Sequence, residues 1–280
     1  MKIEVENISY SYENNINAIE NISTSFNSGD FVSIIGHTGS GKSTFIQNLN
    51  ALLIPTLGKV IVDEFTIMKK IKIKNIKQLR KKIGIVFQFP EYQLFEETVE
   101  KDILFGPKNF NFDKNSLKEI ARKVINLVGL NESFLDKSPF DLSGGEKRRV
   151  AIAGILAFDP DVLIVDEPTA GLDPLASQSM MQLFKKLNEM GKTIILVTHQ
   201  MDHVLTYASR VLVFKNGNLC FDGTPIHLYQ NQKIVKELEI DTPNIITLTN
   251  QLILKYPTLK NYEIKSISDF VKAYKEVIKL

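Results

Sequence analysis

The sequence predicts an α/β fold: a largely parallel sheet, interrupted by a helical insertion and followed by a small C-terminal appendix. Three observations point there. Short β-rich runs recur, FVSIIG (31–36), KVIVD (59–63), IGIVFQ (83–88), DVLIVDE (161–167), TIILVTH (193–199) and RVLVFKNG (210–217), and the continuously apolar ones read as strands buried on both faces of a parallel sheet. Between 105 and 160 the apolar spacing becomes helical. After NGNLCFDGTP (216–225) the strand rhythm ends.

Along the chain, residues 2–10 alternate as a half-buried strand, and KKIKIKNIKQLRKK (69–82) reads as an exposed strand or amphipathic segment with a solvated face. Ser116 with Glu119 makes a capping box, after which Leu117, Ile120, Ala121, Val124 and Val128 recur at helical spacing until Gly129. Beyond 225 two helices are expected. One starts at Thr242-Pro243 and buries Ile245, Leu248 and Leu252; the other follows Ser266 and Asp269 and aligns Phe270, Tyr274 and Val277. So short an appendix must dock on the main body or on a partner. The expected division is a domain at 1–225, with the helical insertion at about 89–160, and an extension at 226–280.

At 280 residues and 44% hydrophobic content the chain holds a sizeable core. Its 34 basic and 32 acidic residues are interspersed, so no basic arm argues for nucleic acid or an anionic membrane. The single cysteine, Cys220, forms no intrachain disulfide and fits a reducing, cytosolic setting. No apolar run approaches the ~18 residues of a membrane span, so the chain is expected not to enter a membrane by itself.

GHTGSGKST (36–44) follows an expected strand and precedes a helical-looking segment, the context a phosphate-binding loop needs. Gly36, Gly39 and Gly41 let backbone N–H groups turn toward phosphate oxygens, with His37, Thr38, Ser40 and Thr44 completing the loop. Lys42 would bridge the β- and γ-phosphates and Ser43 would ligate Mg²⁺. A kinase, a GTPase or an ATPase would use such a loop equally well. VLIVDEPTAGLD (162–173) adds Asp166, at the tip of a buried strand, for the Mg²⁺ shell, and Glu167 to orient or deprotonate the attacking water. LSGGEKRRVAIAGIL (142–156) places Ser143, Gly144 and Gly145 at a second helix N-terminus, a second anion site. Two anion sites with one phosphate loop imply a sandwich in which each of two chains supplies half of each site.

With these motifs the chain resembles the nucleotide-binding subunits of ABC ATPases, whose signature is LSGGQ; here Glu146 stands at the fifth position. The resemblance implies a P-loop NTPase core with an antiparallel β subdomain, a helical subdomain and a C-terminal extension. It implies that Tyr12, or Tyr10 two residues before it, stacks on adenine. Gln88 matches the glutamine that senses Mg²⁺ and the lytic water. Gly171, Leu172 and Asp173 match a loop crossing the dimer interface, and His199 matches the histidine that contacts the γ-phosphate.

VFQFPEYQLFEETVEKDILFGP (86–107) is similar to the energy-coupling-factor ATPases, in the form found in the second of their two ATPase subunits. That resemblance implies ATP and Mg²⁺ as cofactors, a heterodimer with a related ATPase through the C-terminal extension, and a peripheral place on the cytoplasmic face of the membrane. The further partners it implies are a transmembrane coupling protein and substrate-binding membrane subunits that import vitamins or transition-metal ions. Phe89, Pro90, Glu91, Tyr92, Leu94 and Phe95 would then form a groove for a helix of the coupling protein, with Glu91, Glu96 and Glu97 facing its basic residues. A soluble ABC ATPase acting on ribosomes or DNA would carry two motif sets or a long coiled-coil insertion. A catalytically silent subunit would lack Glu167 or His199, and an exporter's ATPase is often fused to membrane helices. None of these fits.

Overall fold

A computed structural model of the chain describes residues 1–13, 17–71 and 73–278. Two sheets organise it. β1 (Ile3–Ser11), β2 (Asn17–Phe26), β4 (Leu57–Val62) and β5 (Phe65–Ile67) form an antiparallel sheet in the order β2-β1-β4-β5. The second sheet contains β3 (Phe31–Ile35), β6 (Ile83–Val86), β7 (Val162–Asp166), β8 (Thr193–Val197), β9 (Arg210–Lys215) and β10 (Asn218–Gly223), in the order β10-β9-β3-β8-β7-β6. Its strands run parallel except the edge strand β10, which carries the exposed Cys220. β3 and β8 are buried at every residue, which is why they read as continuous apolar runs.

Helices α1 (Lys42–Leu49), α2 (Ile76–Lys82), α3 (Val99–Asn109), α4 (Lys114–Leu127), α5 (Gly144–Leu156), α6 (Pro174–Glu189) and α7 (Met201–Tyr207) cover the main body, and α8 (Pro225–Gln230), α9 (Gln232–Glu237), α10 (Asn244–Ile253) and α11 (Ile267–Ile278) follow β10. The α1 face of the parallel sheet and the antiparallel sheet share one core, with Phe26, Phe45 and Phe214 at its centre. The other face packs on α3, α4, α5 and α6 through a second core that includes Ile103, Val124, Ile152 and Phe184. The parallel sheet is therefore a shared wall, with the phosphate loop on one core and the helical insertion on the other. Beyond β10, Leu228, Tyr229 and Val235 pack with Ile35, Val211 and Val213 of the main body, while Leu259, Ile264 and Ala273 form a small cluster of their own.

Several local expectations are corrected. Of the two readings of 69–82 the strand is the one overturned: the segment ends in an amphipathic helix, α2, with Leu79 fully buried while Lys77 and Lys81, one turn apart, lie over the rings of Phe110 and Phe112. The box at Ser116 and Glu119 is not made: Asp113 caps α4 by accepting from Asn115 N, and Ser116 Oγ lies within the helix, donating to Asp113 O at 2.8 Å. In α10 the buried residues are Ile246 and Thr249, whereas Leu248 is exposed. The Ser266 cap of α11 is present, its hydroxyl accepting from Asp269 N at 3.1 Å. Strands β2, β5 and β10 were not anticipated.

Candidate functional site

The C-terminal ends of four adjacent strands of the parallel sheet meet at one edge. The loop 36–41 follows β3, His199 follows β8, Asp166 ends β7 and Gln88 follows β6. Open α/β sheets place ligands at this edge because the helices that return from it point their N-termini there.

The loop is held in a shape only glycine permits at two points. Gly36 has φ 144°, and a Cβ there would lie 2.1 Å from Phe214 O; Gly41 has φ 101°, and a Cβ would lie 2.5 Å from Ala18 O. α1 begins directly afterward. Lys42 Nζ donates to the carbonyls of Gly36 at 2.6 Å and His37 at 2.8 Å, and lies 3.3 Å from Ser40 Oγ, which is buried. Burial lowers the Lys42 pKa, although the carboxylates of Glu167 and Asp166 pull it back up. Thr38 and Gly39 are exposed on the outer turn of the loop, and Ser43 is exposed at the start of α1.

Asp166 is pushed up to about 6, first by burial and then by the neighbouring Glu167; Lys42 and a hydrogen bond from Ser43 oppose this. Glu167 itself has φ 48°, unusual for a residue with a Cβ, and its N–H donates to Val197 O at 2.9 Å. Its Oε1 lies 2.8 Å from His199 Nδ1, while its Oε2 is buried with no partner. A buried carboxylate oxygen without a partner costs free energy unless a water, an ion or a ligand meets it. Lys42, Ser43, Asp166, Glu167 and His199 thus form one cluster, and the exposed Gln88 follows β6, the strand next to β7.

Of the two candidate tyrosines, Tyr10 packs partly into the core, and Tyr12 is 48% exposed with its hydroxyl 3.2 Å from Thr44 Oγ1. Tyr12 is the more exposed ring beside the loop.

Ser143 caps α5 in a capping box: its Oγ accepts from Glu146 N, and Glu146 Oε2 accepts from Ser143 N at 2.8 Å and from Ser143 Oγ at 2.7 Å. These hydrogen bonds hold the Glu146 carboxyl below the usual carboxylate range. A Cβ added to Gly144 or Gly145 would meet nothing within 4 Å, so packing inside this chain does not demand glycine there. Gly171 has φ 73°, and Asp173 caps α6 by accepting from Ala176 N at 2.9 Å, with Leu172 half-buried between them.

A family model described as ABC transporter matches residues 19–170. Proteins named energy-coupling factor transporter ATP-binding protein EcfA2 are similar over nearly the whole chain. The one from Spiroplasma kunkelii is 49% identical, covering 96% of this chain and 90% of that protein. The one from Streptococcus thermophilus is 46% identical, covering 99% of each. The chain belongs to the ABC transporter family, among its energy-coupling factor ATP-binding proteins.

It therefore has the ABC ATPase fold and is an ATP-binding, ATP-hydrolysing subunit. Solved cassettes superpose accordingly. CbiO1 of Clostridium perfringens, described as part of the ABC transporter complex cbiONQ, gives a TM-score of 0.74 at 36% identity over 89% of this chain and 98% of that one. A dimeric ATP-binding cassette in a post-hydrolysis state, bound to ADP and Pi, gives 0.70 at 31% identity over 80% of this chain and 98% of that one.

The partner groove expected at 89–95 is more divided than the energy-coupling-factor resemblance implies. Tyr92 and Phe95 are 84% and 56% exposed, and Phe95 meets Phe105 edge-on, but Pro90 is buried and Leu94 packs on the helical core. Two of the three acids expected to face a partner are engaged within the chain. Glu91 pairs with Arg148, and Glu97 pairs with Lys101. Arg148, which is 3% exposed, was missed by sequence reasoning, because its partner lies 57 residues away.

Proposed function

We propose that this chain is one of the two ATPase subunits of an energy-coupling factor importer, binding ATP and Mg²⁺ at the strand ends and hydrolysing ATP to drive uptake of vitamins or transition-metal ions. The observation that carries the reading is Glu167, whose buried Oε2 lacks a partner beside Asp166, Lys42 and the phosphate loop. In this reading Gly36, His37, Thr38, Gly39, Ser40, Gly41, Lys42, Ser43 and Thr44 cradle the phosphates and Tyr12 stacks on adenine.

Mg²⁺ takes hard oxygen donors, and the site offers them: the Ser43 hydroxyl, the Asp166 carboxylate whose burial favours a neutralising cation, and the Gln88 carbonyl. When bound, the ion neutralises charge on the β- and γ-phosphates. Glu167 Oε2 orients the attacking water and accepts its proton, and His199, held by Glu167 Oε1, contacts the γ-phosphate. Ser143, Gly144, Gly145 and Glu146 meet the partner's ATP, and Gly171, Leu172 and Asp173 cross the interface.

ATP shared between two such chains favours the closed dimer, and hydrolysis shifts the population back to the open one. The partner is a related second ATPase, joined also through the 226–280 extension. Tyr92 and Phe95, with Phe89 and Glu96 beside them, receive a helix of the transmembrane coupling protein, which carries the substrate-binding subunits. The chain is thus peripheral, on the cytoplasmic face of the membrane. The test is Glu167→Gln in the assembly purified through this chain: ATP binding persists while hydrolysis falls by about 10²-fold or more. Normal hydrolysis in that variant would remove Glu167 from the proposed role.

A further inference from the structure

The guanidinium of Arg148, in the second turn of α5, is buried between two loops that approach from different strands. Its Nε and Nη2 donate to the two carboxylate oxygens of Glu91 at 3.0 and 2.7 Å, a bidentate pair. Its Nη1 donates to the carbonyls of Pro168 and Ala170 at 3.1 and 2.7 Å. Those carbonyls belong to the turn that begins at Glu167 and is closed by Ala170 N donating to Glu167 O at 3.1 Å. The guanidinium carbon lies over the ring of Phe89, 5.6 Å from the ring centre, and a Cβ placed on Gly171, just after the same turn, would lie 3.8 Å from that ring. One planar cation therefore fastens the segment after β6, which carries the exposed Tyr92 and Phe95, to the turn that holds Glu167 at φ 48°.

We propose that Arg148 is a positioning residue for ATP hydrolysis: by binding Glu91 and the 168–170 carbonyls together, it sets the place of the Glu167 carboxylate according to the place of the 89–95 segment. A displaced Glu91 draws the guanidinium with it, because four of its five N–H groups are committed to these two loops. Glu167 then leaves the geometry that orients water, and hydrolysis stops without loss of the nucleotide. Burial raises the Glu91 pKa, but the hydrogen bonds and charge of Arg148 outweigh it and hold the carboxyl below its ordinary value, so the pair stays ionised at neutral pH. The inference rests on the role proposed above for Glu167.

The test uses the purified assembly with R148K, which keeps the charge but not the fork, and E91Q, which keeps the shape but not the charge. ATP hydrolysis, the KM for ATP and the melting temperature are measured for each. The expected result is a fall in kcat of about tenfold or more for R148K, and a smaller fall for E91Q, with KM within about twofold of the parent. Added to E167Q, R148K should cost nothing further, since both act through one carboxylate. The proposal is overturned if kcat is unchanged in both variants, if KM and melting temperature deteriorate in step with kcat, or if the R148K loss adds in full to that of E167Q. E91Q alone decides if R148K does not fold. Hydrolysis surviving E167Q would instead overturn the Glu167 assignment, and this inference with it.

Discussion

Asp166→Asn separates the electrostatics of the site from its fold. A carboxyl carried from 3.8 to about 6 holds roughly 3 kcal/mol against the folded state at neutral pH. Because the folded pKa is raised, this penalty is absent below the ordinary value and reaches its full size as pH rises through about 6. Asparagine keeps an acceptor for Ser43 and removes the charge. The nucleotide-free variant should therefore melt higher than the parent at about pH 7.5, by roughly 6–12 °C if the full 3 kcal/mol is recovered. At about pH 5, where the folded carboxyl is mostly protonated, the gain should shrink to roughly half. Adding Mg²⁺ and ATP should reverse the order, since the carboxylate that destabilises the free site is the one the cation needs. Thermal melting at the two pH values, with and without nucleotide, checks all three points. An equal gain at both pH values, or a lower melting temperature for the variant at pH 7.5, would refute the reasoning.

Other outcomes follow from geometry already described. Gly145→Ala should leave melting within about 0.5 kcal/mol of the parent, since its Cβ meets nothing in this chain, yet weaken the ATP-dependent dimer seen by size-exclusion chromatography in the Glu167→Gln background. Gly36→Ala should cost more than about 2 kcal/mol in denaturant unfolding, because φ is 144° and the new Cβ meets Phe214 O at 2.1 Å. Replacing Tyr92 and Phe95 together by alanine should barely change stability, as both rings are exposed, while uptake in reconstituted vesicles falls and ATP hydrolysis continues.

What the sequence revealed and what it hid divide along local and non-local lines. The parallel strands were legible because burial on both faces leaves apolar runs with no competing period, as in FVSII and TIILV. β2 and β10 escaped because each mixes polar with half-buried positions, NAIENISTSF and NLCFDG, a pattern shared with loops. The Lys-Ile alternation before α2 imitated a strand until tertiary contacts with Phe110 and Phe112 fixed the helix. The phosphate loop, the 162–173 segment and the signature were legible as contiguous motifs, since their backbone geometry is local. Glu146 was legible only as the fifth signature position, and its capping box with Ser143 is seen first in the fold. The choice between Tyr10 and Tyr12 needed to know which ring faces the core. The Arg148–Glu91 pair had no signal at all, because nothing in either neighbourhood names a partner 57 residues distant.

The exposed Cys220, on the edge strand β10, is the chain's sole thiol. A fluorophore or spin label attached there needs no engineered cysteine, no background thiol must be removed, and the attachment point lies on the far edge of the sheet from β6. With a second probe on the partner, interprobe distance becomes a direct reading of opening and closing through the ATP cycle.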